Sequence, residues 1–388
     1  MPKKVLFCAT VDYHFRAFHL PYMKWFKEQG WDVHVAASGD IELPYVDQKF
    51  NLPFQRSPLK LQNVKVYQQL KSILDEHYYE LIHCHTPMGG MLARLAARKT
   101  RKQGTRVLYT AHGFHFCKGG PALNWLLYYP IEKWLSAHTD TLITINEEDY
   151  RLAVQHRFKA GRIAHVHGVG VDTERFKPAD ESARREARLL LGYHPGDFLM
   201  FYAAEFNKNK NQQLLIQALA RIKAEVPHAR LLLAGSGSMQ EDCRQLAREL
   251  GVEEMIDFLG YRKDIDTLLP LCDVAVASSL REGLPVNILE AMACGLPVVV
   301  SANRGHSELI ADGVNGFIVQ PTDSESFAER LLELSRSLQL SHKLGLASRN
   351  RVQGYSLTQV GSEMTGIYSD YFLGDTDEAE SKYSRAYI

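Results

Sequence analysis

Short apolar runs alternate with segments of helical period along nearly the whole chain, and they do so in two successive series. The strand-like runs of the first series are 5–10, 33–37, 81–84, 107–110, 141–145 and 163–166, with amphipathic stretches at 18–29, 64–77, 91–102 and 122–137 between them. This βαβ rhythm reads as a parallel sheet covered by helices, and strands buried on both faces are expected to be nearly continuous in apolar residues, as most of these are. The rhythm pauses over 168–180, which is rich in glycine and turn residues. It then restarts with runs at 198–203, 229–234, 256–258, 274–277, 297–300 and 317–319, separated by helical stretches such as 212–226, 239–250 and 286–294. The chain therefore reads as two α/β halves of similar size. Open sheets of this kind place ligands beyond the carboxyl ends of their strands, and two such edges across a cleft suit a bulky two-part ligand. Residues 375–388 are polar and weakly patterned, and are expected to form a flexible tail.

Composition removes several function classes. At roughly 150 residues per domain, 388 residues suggest two or three domains. Lys+Arg and Asp+Glu both number 45, so no overall basic field points to nucleic acid. Six cysteines with no CxxC pair argue against a disulfide framework and for a reducing compartment. Asp12, His14 and Arg16 interrupt the first apolar run too early for a signal-peptide core, and no stretch approaches the ~18 apolar residues of a spanning helix. A cytoplasmic protein is expected, with peripheral membrane contact left open.

The densest chemistry lies in the second half. After the run at 274–277, residues 278–282 read as a loop, Pro285 opens a helix and Gly295 with Pro297 stops it. Glu282 thus stands just before the helix and Glu290 within it. Eight residues at helical rise span about 12 Å, near the length of a nucleotide sugar from ribose to sugar ring. Between the two carboxylates, the free N–H groups of Gly283, Leu284 and Val286 would welcome a diphosphate; two solvated glutamates flanking an ordinary helix fit the same spacing. Lys208 and Lys210, at a turn into the next helix after 198–203, make a second anion site or a solvated polar loop. In the first half, His112 follows a strand, so it either points into the cleft or binds backbone.

Other histidines invite a metal reading. His83 and His85 alternate along one strand, and His165 and His167 along another. Structural zinc needs four converging ligands, and neither CxxC nor HExxH accompanies these, so no metal is expected; His85 reads instead as lining the acceptor side. The loop after the first strand lacks GxGxxG, which argues against a dinucleotide there. Asp12 and His14 in that loop either bind acceptor hydroxyls or form an ordinary turn. Arg94, Arg98, Lys99, Arg101, Lys102 and Arg106 form a basic run, read either as a solvated helix end or as a dock for an anionic membrane, to which Tyr22, Met23, Trp25 and Phe26 would add interfacial contacts unless they are core.

Taken together, these segments resemble the family 4 glycosyltransferases, retaining enzymes of the GT-B fold that use nucleotide-sugar donors. The carriers are Glu282-x7-Glu290 within Arg281–Pro297, Leu232-Leu-Ala-Gly-Ser-Gly237, Phe258-Leu-Gly260, Glu308 with Gly313-Val-Asn-Gly316, and His167-Gly-Val-Gly-Val-Asp172. The opening residues 9–21 also resemble bacterial members that build exopolysaccharide or capsule repeat units. The resemblance covers residues 4 to about 371. It implies two Rossmann-like doubly wound domains facing a cleft, an acceptor-side domain over 1–172 and a donor domain over 173–355, with a last helix at about 356–372 packing back on the first. It maps the ribose diol to Glu290, the donor sugar to Glu282, the diphosphate to Lys210, and a contact with the donor sugar or its phosphate to His112. His112 and Glu282 are thus the candidate catalytic positions, with no general base assigned.

One position departs from the pattern: Glu205 stands where the family usually has a second diphosphate-binding arginine, and Lys208 is the candidate replacement. The reading that follows is transfer of a hexosyl or N-acetylhexosaminyl group, with retention, from a nucleoside diphosphate sugar, UDP above all, to a glycan or polyprenyl-linked acceptor in surface polysaccharide assembly. It involves no metal, cofactor or nucleic acid. A GT-B nucleotide-sugar epimerase or hydrolase, or a non-catalytic sugar-nucleotide binding protein, are the alternatives.

Overall fold

A computed structural model describes residues 2–372; the expected tail at 375–388 lies outside the described residues. The chain divides into two compact units, residues 2–168 with 358–372, and Val169–Leu357. The division falls earlier than 172 because Val171 is tied to the end of the second unit: its N–H donates to the Tyr355 carbonyl and its carbonyl accepts from Leu357 N–H, each at 2.9 Å.

The first unit is built on seven parallel strands: β1 (Lys4–Val11), β2 (Asp32–Ser38), β3 (Gln48–Asn51), β4 (Leu81–His85), β5 (Arg106–Ala111), β6 (Thr141–Thr144) and β7 (Arg162–His165). Their order is β3-β2-β1-β4-β5-β6-β7, so the winding reverses between β1 and β4. β4 is buried along its whole length, as a strand covered on both faces must be. β3, Gln-Lys-Phe-Asn at the sheet edge, had no apolar run to announce it. One face packs Leu6, Cys84 and Val107 against Val66 and Leu70 of the helix Gln62–Glu76 and Leu92 of the helix Pro87–Ala96.

The helix Leu357–Ser369 belongs to this unit. Its Tyr368 is fully buried, packs edge-on to Tyr22, and shares a 2.8 Å hydrogen bond with His83 Nδ1.

The second unit holds six parallel strands: β8 (Phe198–Ala203), β9 (Ala229–Ala234), β10 (Ile256–Gly260), β11 (Val274–Ala277), β12 (Val298–Ser301) and β13 (Gly316–Val319). Their order is β10-β9-β8-β11-β12-β13, reversing between β8 and β11. Cys8, Cys84, Cys243, Cys272 and Cys294 are buried free thiols. Among the described residues, no helix is long and apolar enough to cross a membrane.

Candidate active site

In a doubly wound sheet the ligand crevice opens where the strand order reverses, beyond the carboxyl ends. In the second unit that point lies between β8 and β11, and the loops leaving these two strands carry Lys210 and Glu282. The two loops are stitched together by backbone contacts. Leu280 N–H donates to the Asn209 carbonyl at 2.7 Å, and the Lys210 carbonyl accepts from Ser278 Oγ at 2.8 Å. Lys210 Nζ then meets Glu282 Oε1 at 2.5 Å, a part-buried ion pair. Residue 305 must be small here, because a Cβ on Gly305 would stand 2.8 Å from the Gly283 carbonyl oxygen and 2.9 Å from Glu282 Cβ. Arg304 Nε fixes the same loop by donating to the Glu282 carbonyl at 3.1 Å.

The helix Val286–Ala293 follows, with Pro285 at its N-cap and no side chain capping it. Gly283, Leu284 and Val286 donate their N–H groups to no described residue, which leaves an anion-binding helix start beside the Lys210–Glu282 pair. Glu290 sits in the second turn of this helix. Burial pushes its carboxyl up to about 7, against the pull of Arg175. Arg175 is itself held by Asp266, Nε and one terminal nitrogen each donating at 2.9 Å. His306 lies in the fields of Lys210 and Glu282; burial lowers it to about 4, its Nδ1–H donates to the Ser301 carbonyl at 2.7 Å, and its buried Nε2 has no hydrogen-bond partner among the described residues. Arg175, Asp266 and His306 went unnoticed in the sequence, where none belongs to a spaced pair.

In the first unit the reversal lies between β1 and β4, and histidines collect there. His14 and His19 follow β1, His85 ends β4 and His112 follows β5. His14 Nε2 stands 3.1 Å from His19 Nε2, and His85 Nδ1 3.3 Å from His112 Nε2. One ring nitrogen from each of the four lies within 4.8 Å of the others, an arrangement able to hold a metal ion. Burial lowers His14 to about 4 and the other three well below the usual imidazole range, so all four are neutral near pH 7. His19 was not singled out in the sequence; nothing in its spacing marks it.

Residues 187–351 match the family described as Glycosyl transferases group 1, and residues 4–146 the family described as Glycosyl transferase 4-like. Over 378 residues the chain is 53% identical to EpsD of Bacillus subtilis (strain 168), a glycosyltransferase by name, covering 97% of this chain and 99% of that one. The chain belongs to the family 4-type glycosyltransferases. At 26% identity over 322 residues (81% of this chain and 82% of the relative) it also resembles an Escherichia coli enzyme named UDP-Gal:alpha-D-GlcNAc-diphosphoundecaprenol alpha-1,3-galactosyltransferase. Among solved structures, HepE of Anabaena superposes with a TM-score of 0.76 at 21% identity, over 95% of this chain and 100% of that chain. The fold is GT-B.

Within this glycosyltransferase, the structure brings Lys210, Glu282, Gly283 and Leu284 together, and separately His14, His85 and His112. Lys208 and Glu205 are both exposed, and no ion pair joins them: Glu205 Oε2 accepts from Asn207 Nδ2 at 3.1 Å. Asp12 is engaged structurally. Its Oδ2 accepts from Lys49 Nζ at 2.7 Å and from Ile41 N–H at 2.8 Å, and a Cβ on Gly39 would strike it.

The basic run is corrected at Arg94. Arg94 is fully buried, paired with Glu132 at 2.9 Å and stacked over Tyr109. Lys99 pairs with Asp75 and Arg101 with Asp140. The interfacial reading of Tyr22, Met23 and Phe26 also fails: all three are buried core, where they cover the sheet and the last helix. The glycosyltransferase instead exposes apolar residues on the helix Ala122–Ser136, where Leu123, Leu126, Leu127, Ile131 and Trp134 fall on one side at spacings of three, four and eight.

Proposed function

We propose that this glycosyltransferase moves a sugar from a nucleoside diphosphate sugar, UDP above all, to a lipid-linked glycan during surface polysaccharide assembly, with retention of configuration. The observation that carries the reading is the Lys210–Glu282 contact at the reversal point of the second sheet, beside an uncapped helix start. A cation, free N–H groups and carboxylates in that order suit, in turn, a diphosphate, its sugar and a ribose diol. Lys210 and exposed Lys208 supply point charges, Gly283 and Leu284 backbone donors, Glu290 an acceptor for the diol and Glu282 a partner for donor-sugar hydroxyls. The protein's contribution is orientation of the sugars and stabilisation of the departing diphosphate, and charge met in this way asks for no metal at the donor. His112 is the first unit's candidate for contact with the reacting sugar, with His14 and His85 beside it on the acceptor side.

The names of relatives favour the same reading. HepE is described in complex with UDP and glucose, and the E. coli relative's name gives UDP-Gal and a diphosphoundecaprenol-linked sugar. A lipid-linked acceptor places the enzyme at the cytoplasmic membrane face, where the apolar side of Ala122–Ser136 would dock. The deciding experiment is a melting-shift screen of the purified protein against UDP, GDP, ADP and their sugars, repeated with chelator present. UDP compounds should raise the melting temperature most, with or without chelator. A preference for GDP or ADP would overturn the UDP assignment, and no response to any of them the donor site itself.

A further inference from the structure

The geometry points to a transition-metal site in the first unit, where His14, His19, His85 and His112 take one ion of the Zn2+ class through four imidazole nitrogens. A tetrahedral ion with metal–nitrogen bonds of about 2.0–2.1 Å sets its ligands roughly 3.3 Å apart. The His14–His19 and His85–His112 nitrogen pairs already stand at 3.1 and 3.3 Å, and all four ligand atoms fall within 4.8 Å, a gap that modest ring rotations close. Imidazole without carboxylate selects zinc, copper or nickel over magnesium or calcium.

Two further observations favour a ligand set over ordinary packing. The four rings meet nitrogen to nitrogen, imidazole against imidazole, and the far nitrogens of two of them, His19 Nδ1 and His85 Nε2, are buried with no hydrogen-bond partner among the described residues, so no protein group fixes these two rings against the rotation an ion would require. His83, two residues before His85 on the same strand, shows what a structural histidine looks like here: Nδ1 meets Tyr368 and Nε2 meets Thr110, both at 2.8 Å.

Four protein ligands make a closed site with no open position for water, so such an ion holds structure and does not activate a nucleophile. It would tie the segment after β1 to the ends of β4 and β5, and it would occupy a nitrogen of His112. If His112 meets the reacting sugar as proposed above, the bound ion restrains transfer; this consequence rests on that reading, whereas the site itself does not.

The test uses tag-free, chelator-stripped full-length protein. Calorimetric titration with ZnCl2 should give one ion per chain, and Co2+ should produce the intense visible absorption of a tetrahedral centre. His19→Gln and, separately, His14→Gln should weaken Zn2+ binding at least about 100-fold and abolish the Co2+ band, with circular dichroism unchanged. No stoichiometric binding by the wild type overturns the site whatever the variants do, and so does binding that both variants retain. Zn2+ should also slow transfer by the wild type and not by His19→Gln. Stoichiometric binding without slowing would uphold the site and overturn the role given to His112.

Discussion

Glu290 carries opposite demands from folding and from binding. Its carboxyl is raised from 4.5 to about 7 by burial, so folding favours the protonated form. The stability this gives is complete below about pH 4.5 and is lost as the pH rises through 7. Glu290→Gln should therefore stabilise the ligand-free enzyme at pH 8, by about 3 kcal/mol at most at 1.4 kcal/mol per pH unit, with the gain vanishing below pH 4.5. Urea unfolding at several pH values checks this. The same variant should bind UDP roughly 5- to 30-fold more weakly at pH 8, since an amide is a poorer acceptor for a diol than a carboxylate. Wild-type affinity should rise between pH 6 and 8, and the variant's should not.

The two lysines should separate just as clearly. Lys210 is part-buried and positioned by Glu282, whereas Lys208 is exposed. Lys210→Ala should lower kcat/KM roughly 10- to 150-fold, the loss of a charge-assisted contact worth about 1.5–3 kcal/mol. Lys208→Ala should cost less, and its effect should fade with added salt as an exposed charge is screened. A Lys208 effect equal to that of Lys210 and insensitive to salt would refute this ranking.

At the scale of elements, the site depends on a close approach between the start of the helix Arg304–Leu309 and the loop before Val286–Ala293. Gly305 has no room for a Cβ against Gly283 and Glu282. Gly305→Ala should displace the Glu282 loop, lowering both the melting temperature and donor affinity. Gly366, exposed inside the helix Leu357–Ser369, has open space around its missing Cβ. Gly366→Ala should stabilise by about 0.5–1 kcal/mol and leave donor affinity unchanged. Thermal melts of the two variants with and without UDP compare them directly.

For the whole molecule, the open question is what meets the helix Ala122–Ser136. Its apolar side is out of reach of the core, with Leu126 71% and Trp134 53% exposed, and Trp134 packs edge-on to His138, which lines a groove together with Arg98, Lys99, Arg101 and Lys102. Apolar residues beside basic ones suit an anionic bilayer surface. Co-sedimentation with phosphatidylglycerol vesicles should be strong for the wild type, weak at high salt, and lost in Leu126→Glu with Trp134→Glu. Donor-induced melting shifts should be unchanged in that double variant, whose substitutions both lie in the first unit.

Periodicity and motif spacing were enough to establish the two α/β series, the break between them and the positions of Lys210, Glu282 and Glu290, because strand burial and helix signals are local and leave their mark within a few residues. They missed β3, whose polar residues sit at a sheet edge and carry no apolar pattern. Whether a charged or aromatic side chain faces water or the interior depends on what packs against it from far along the chain. That is why Arg94 read as surface until Glu132 and Tyr109 closed over it, and why Tyr22 and Phe26 remained ambiguous until the helix Leu357–Ser369 returned to cover them. The histidine cluster is the extreme case: four residues spread from 14 to 112 share no spacing rule, and only the reversal of strand order between β1 and β4 brings them to one point.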